Sequence, residues 1–110
     1  MTDRELLELA AKAAGYLICG PIRNGEFRVC QSEDQISFAW NPLIDDGDAL
    51  RLAVKLRLAV MRCYLGTTVA QIGTPGLKNA YEEATDHKDP ASATRLAIVR
   101  AAAEIGRRMK

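Results

Sequence analysis

WNPLIDDGDALRLAVKLRL, residues Trp40–Leu58, joins a strand end, a turn and a helix in one short run. Pro42 lacks the N–H a strand ladder needs, so it closes whatever strand carries Trp40. A helix is expected from about Asp46 to Arg57, with Ala49, Leu52, Ala53 and Leu56 facing a core and Asp48, Arg51 and Lys55 facing water. The three acids before it suit a helix start. Asp45 fits the N-cap, Asp48 follows three residues later in a shortened capping box, and Asp46 adds negative charge to the first turn. Each such charge gains about 0.3–1 kcal/mol from the helix dipole. A hard-cation site needs oxygen ligands spaced along a loop, a pattern this run lacks, so no metal and no cofactor is expected here. The acids also fill the position that a phosphate would take at a helix N-terminus.

Upstream of this run, Thr2-x-x-Glu5 has capping-box spacing and opens a helix to about Ala14. Leu6, Leu9, Ala10 and Ala13 form its apolar stripe, Glu8 and Lys12 an i,i+4 pair, and Gly15 its stop. Tyr16–Cys19 is an unbroken apolar run, read as a strand buried on both faces. Asn24-Gly25 predicts a two-residue hairpin turn into Glu26–Gln31 and sets Cys19 opposite Cys30. Gln35–Trp40 alternates, with Ile36, Phe38 and Trp40 on one side.

Downstream, Val60–Leu65 and Thr67–Ile72 read as strands around a turn at Gly66. Lys78–Thr85 reads as a short helical turn. Asp89 caps a last helix that has Pro90 at its first position and ends near Arg108. Its stripe is Ile98, Val99, Ala102, Ile105 and Met109. The order helix, three strands, helix, two strands, helix, with short turns, predicts an α+β fold. We expect a three-layer α-β-α sandwich, a mostly antiparallel sheet of about five strands with helices on both faces, forming one domain over residues 1–110.

Composition narrows the function classes. The chain has 110 residues, 48% hydrophobic and 26% charged, with a net charge of +1. Near-neutral charge and 5% aromatic residues argue against a nucleic-acid platform. No apolar run is long enough to span a membrane. The start MTDRELLELAAK is an acidic amphipathic pattern and not a secretory leader, so cytoplasmic residence is the expectation. Cys19, Cys30 and Cys63 lie in apolar contexts without metal-ligand spacing and are expected as three free thiols, with a Cys19–Cys30 disulfide as the alternative. His87 sits in a polar loop with no nucleophile motif around it, so no catalytic residue is assigned.

Two runs carry a family resemblance. Trp40-Asn41-Pro42-Leu43 through Asp45-Asp46-Gly47-Asp48-Ala49-Leu50-Arg51-Leu52-Ala53, and Ala93-Thr94-Arg95-Leu96-Ala97-Ile98-Val99-Arg100-Ala101-Ala102-Ala103-Glu104-Ile105-Gly106, resemble the central and closing motifs of the phage ABA-sandwich family. That resemblance covers nearly the whole chain and implies the layered fold and a setting in phage or prophage genomes. It implies no catalytic residues. Gly73–Lys88 matches no part of the family pattern.

Arg95 falls near the middle of the last helix's apolar stripe. Three readings stay open: escape of its head to water, an ion pair with Asp46 or Asp48, or an anion-binding arginine in a cleft. Arg51, Lys55 and Arg100 lie on basic helix faces, read first as solvated surface and second as ligand groups. The expected function is a non-enzymatic phage or prophage accessory protein: an interaction module for an unknown host or phage protein, acting on the host or its defences. A homodimer through Met61, Tyr64 or Tyr81 is a further assembly to test. The alternative function is capture of a nucleotide or other small anion by Arg95, Arg51, Lys55 and Arg100.

Overall fold

The computed structural model describes residues 2–19, 27–31, 37–63, 66–71, 80–83 and 90–109, and for 62–63, 66–71 and 80–83 the backbone alone. The elements run α1 (Asp3–Ala14), β1 (Leu17–Ile18), β2 (Arg28–Cys30), β3 (Phe38–Ala39), α2 (Asp46–Lys55), β4 (Leu58–Cys63), β5 (Gly66–Gln71), β6 (Ala80–Glu83) and α3 (Pro90–Arg108). This is a mixed α+β fold with antiparallel pairing throughout the described strands. The strands form two three-stranded sheets, β1-β2-β3 and β4-β5-β6, where about five in one sheet were expected.

The helices begin where their caps say. Thr2 Oγ1 accepts from the Glu5 N–H at 3.2 Å, and Gly15 takes the left-handed conformation (φ 78°) that closes α1. The buried face of α1 is Leu6, Leu7, Ala10, Ala11 and Ala14, rotated from the expected stripe, with Leu9 and Ala13 half-buried. The cause lies across the interface. A Cβ on Gly106 of α3 would overlap the Leu9 carbonyl, so the two backbones meet there. Glu8 pairs with Arg4, one turn earlier, at 3.0 Å, while Lys12 donates to the Met109 carbonyl at 3.0 Å. These two interactions replace the expected Glu8–Lys12 pair.

Helix α3 is central. Ala93, Ala97, Ile98, Val99, Ala101, Ala102, Ala103 and Gly106 are buried, almost all the way around the axis, because α1, α2 and the β4–β6 sheet all pack against it. The small side chains let these neighbours approach closely. Met109 is exposed, against the expected stripe, and Ile105 only partly covered.

Two strand expectations are corrected. Leu17 and Ile18 are exposed rather than buried on both faces. Leu17, not Cys19, lies opposite Cys30, and the Cys19 N–H donates to the Arg28 carbonyl at 3.1 Å. Cys19 and Cys30 are therefore diagonal neighbours, with Cα atoms 6.3 Å apart and a disulfide joining them, where free thiols were expected. The Asn24-Gly25 turn lies outside the described residues. Ala80–Glu83, expected within a helical turn, is instead a strand that takes the free edge of β5, with Val69 opposite Ala80. Gly66 opens β5 opposite Cys63. On the β1–β3 side, Tyr16 packs edge-on against Phe38 (5.8 Å between centroids) and Trp40 (5.6 Å). Trp40 is buried, whereas Phe38, two residues earlier, is exposed, although one shared side was expected.

No helix among the described residues is long and apolar enough to cross a membrane.

Candidate functional site: the outer face of the second helix and its cleft

The turn before α2 is built by its own polar groups. Asn41 Oδ1 accepts from the Leu43 N–H at 3.1 Å, and the Asn41 carbonyl accepts from Asp45 N–H at 2.9 Å. Asp45 is the N-cap, its carboxylate accepting from the Asp48 N–H at 2.8 Å. Asp48 does not close a capping box on Asp45. It reaches further back and accepts from the Asn41 N–H at 2.9 Å, while Arg51 donates to its other oxygen at 2.7 Å. The hydrogen bond to Asp48 raises the Arg51 pKa above its already high ordinary value. Asp89, the other expected cap, lies outside the described residues, although α3 does begin at Pro90.

Arg95 is held by this same region. Its Nε donates to the Leu43 carbonyl at 2.9 Å, its Nη1 to Asp46 Oδ1, and its Nη2 to Ser92 Oγ at 3.0 Å. The arginine side chain is 15% exposed and the Asp46 carboxylate 78% exposed. Of the three open readings, the ion pair with Asp46 is the one formed. The fork pins α3 to the turn before α2, and Asp46 and Asp48 each take one arginine, on opposite sides of the helix start.

The remaining basic candidates do not converge on one point. The Lys55 ammonium lies 4.4 Å from the centre of the Tyr16 ring, a cation–π contact on the β1–β3 side of α2. Arg100 is exposed on α3 and is itself engaged in an interaction. His87 and most of Gly73–Lys88 lie outside the described residues, as do the side chains of Tyr64 and Tyr81. No group of His, Cys, Asp or Glu among the described residues is arranged to hold a metal ion.

What the expectations missed is apolar. A cleft of about 400 Å³ opens between α2 and the first half of α3, lined by Ala49, Leu50, Ala53, Val60, Thr94 and Ile98, with Asp46 and Arg95 at one end. Beside it, Leu50 is 65% and Val54 70% exposed, and Ile44, Val60 and Met61 are exposed too. Helix α2 thus has two faces that would prefer to be covered. Ala49, Leu52 and Ala53 are buried, and Leu50 and Val54 stand one turn apart toward water. The signal was present in the spacing Gly47, Leu50, Val54, Arg57, which repeats at three and four residues like a helix-packing seam. It is easily passed over because the buried stripe alone satisfies the amphipathic rule.

Arg57 marks the end of this face. It is a non-glycine residue at φ 57°, in the position after the helix C-cap where glycine is usual, and its side chain is exposed. Compared with family models, with curated proteins and with solved structures, the chain matches none of them.

Proposed function

We propose that this protein is a non-enzymatic interaction module whose contact surface is the outer face of α2 together with the cleft beside it. The observation that carries the reading is the pair Leu50 and Val54, large apolar side chains exposed next to an apolar cleft. Apolar side chains grouped around a concavity mark contact sites more often than singly scattered ones do. The wider proposal includes a phage or prophage origin, residence in the host cytoplasm, and action on a host or defence protein. A three-layer α-β-α stacking of the helices about the strands belongs to the same proposal. These parts rest on the resemblance of the Trp40–Ala53 and Ala93–Gly106 runs.

Anion capture is the less favoured reading, because its residues are occupied. Arg95 is bonded to Leu43, Asp46 and Ser92, Arg51 to Asp48, and Lys55 sits over Tyr16. An anion would have to displace protein partners that are already charged or hydrogen-bonded.

A photo-reactive amino acid placed at Val54, with a second placed at exposed Asp3 as control, tests the reading in lysate of a bacterial host. Discrete protein adducts from position 54 and none from position 3 are expected. No adduct from position 54, together with a nucleotide-induced rise in Tm that Arg95→Ala abolishes, would transfer the function to the anion reading.

A further inference from the structure

The charges at the two ends of α2 say what kind of surface fits its outer face. At the N-terminal end, Asp45, Asp46 and Asp48 outnumber Arg51 and Arg95 and leave that end negative. At the C-terminal end the outer face carries exposed Arg57, while Lys55 is turned to the Tyr16 ring on the other side, and Arg57 leaves that end of the face positive. Between them lie Leu50 and Val54, exposed and one turn apart. A helix that is negative at one end, positive at the other and apolar between them is complementary to itself when turned antiparallel.

From this we propose that the outer face of α2 binds a second copy of this chain, in a two-fold symmetric, antiparallel α2–α2 contact. The proposal rests on the reading of that face as a contact surface and names its partner. In this arrangement Leu50 of each copy packs against Val54 of the other. Arg57 of each copy then lies across from Asp46 of the other, beside the Asp45–Arg51 pair that covers Gly47. The contact is isologous, so each favourable pairing is made twice. A parallel arrangement would set acid against acid and base against base.

Size sets the strength. Helix α2 has 10 residues, about 15 Å of length at 1.5 Å per residue and roughly 10 Å of width. Even with Ile44, Met61 and the cleft lip added, this falls below the roughly 800 Å² per partner of a stable interface. The dimer is therefore a weak one, reversible and dependent on concentration and salt.

Sedimentation equilibrium of the wild-type chain from micromolar to millimolar concentration tests the proposal. Expected is a reversible monomer–dimer equilibrium, weakened at least tenfold by Val54→Glu and several-fold by Arg57→Glu, with far-ultraviolet circular dichroism unchanged in both. Register is read separately with a photo-crosslinker at Leu50, whose adduct in the partner copy should map to Val54 and its neighbours. A chain that stays monomeric throughout, or a dimer insensitive to both variants, or an adduct that maps away from α2, overturns the self-association. A wild-type monomer that still yields position-54 adducts with a host protein would overturn this inference and leave the contact-surface reading standing.

Discussion

Replacing Arg95 by alanine should be among the most destabilising single changes at a polar position of α3. The side chain is 15% exposed and its guanidinium reaches the Leu43 carbonyl, Asp46 and Ser92. Alanine leaves the part-buried Leu43 carbonyl without that donor, which costs about 1–3 kcal/mol. The ion pair adds little more, because the Asp46 carboxylate is 78% exposed and water screens it. A total of about 1–4 kcal/mol follows. Unfolding entropy near 2.1 cal/mol/K per residue, over 110 residues, converts each kcal/mol into about 4 °C, so Tm should fall by roughly 4–16 °C. Urea denaturation should show a lower midpoint at unchanged m. Arg95→Lys retains charge but not the fork, and should recover less than half of the loss. Asp46→Asn alone should cost much less than Arg95→Ala. A loss under about 0.5 kcal/mol for Arg95→Ala, the range of ordinary surface substitutions, would refute the pinning role and return Arg95 to the ligand candidates.

Three further outcomes follow from geometry. Gly106→Ala forces a Cβ into the Leu9 carbonyl and must separate α1 from α3, so a loss of about 1–3 kcal/mol is expected in urea denaturation. Arg57→Gly relieves a left-handed conformation that costs a non-glycine residue roughly 1 kcal/mol, and should raise the midpoint measured at low protein concentration. The Glu104 carboxyl is held below its ordinary pKa by its hydrogen bonds from Arg107 first and then Arg108. A group with a lowered folded pKa stabilises above its unfolded pKa and loses that contribution as pH falls through the folded one. Glu104→Gln should therefore be slightly less stable than wild type near neutral pH, with the gap closing in acid, as read from Tm against pH.

How much of this was legible in the sequence depends on where the information sits. The three helices were readable because their signals are local: Thr2 and Asp45 cap, Gly15 stops, and Pro90 opens. The buried residues of α2 followed from spacing alone. The strands were less legible because a neighbour decides them. Ala80–Glu83 is a strand because β5 offers it an edge, and nothing within that segment announces it. The Leu17–Cys30 register likewise depends on pairing, and a two-position error moved Cys19 from opposite Cys30 to diagonal from it. Leu17 and Ile18 look like core in one dimension and are exposed, because the β1–β2–β3 sheet is small. In the candidate site, Asp45 was readable as the cap and the Arg95–Asp46 pair as one of three options, whereas the reach of Asp48 back to the Asn41 N–H was not. The outer stripe of α2 was overlooked because the buried stripe already satisfies the helical period.

The proposed contact surface implies that the residues holding the fold and those meeting a partner are separate sets, and one paired measurement tests that division. Val54→Glu and Arg95→Ala are compared side by side for urea midpoint and for adduct yield from a photo-crosslinker at Leu50. Val54→Glu should keep the midpoint within about 0.5 kcal/mol of wild type, as exposed positions do, and abolish the adducts. Arg95→Ala should lower the midpoint and, at temperatures where it is still folded, retain them. The opposite pattern, a destabilised Val54→Glu that still crosslinks and a stable Arg95→Ala that does not, would contradict the division.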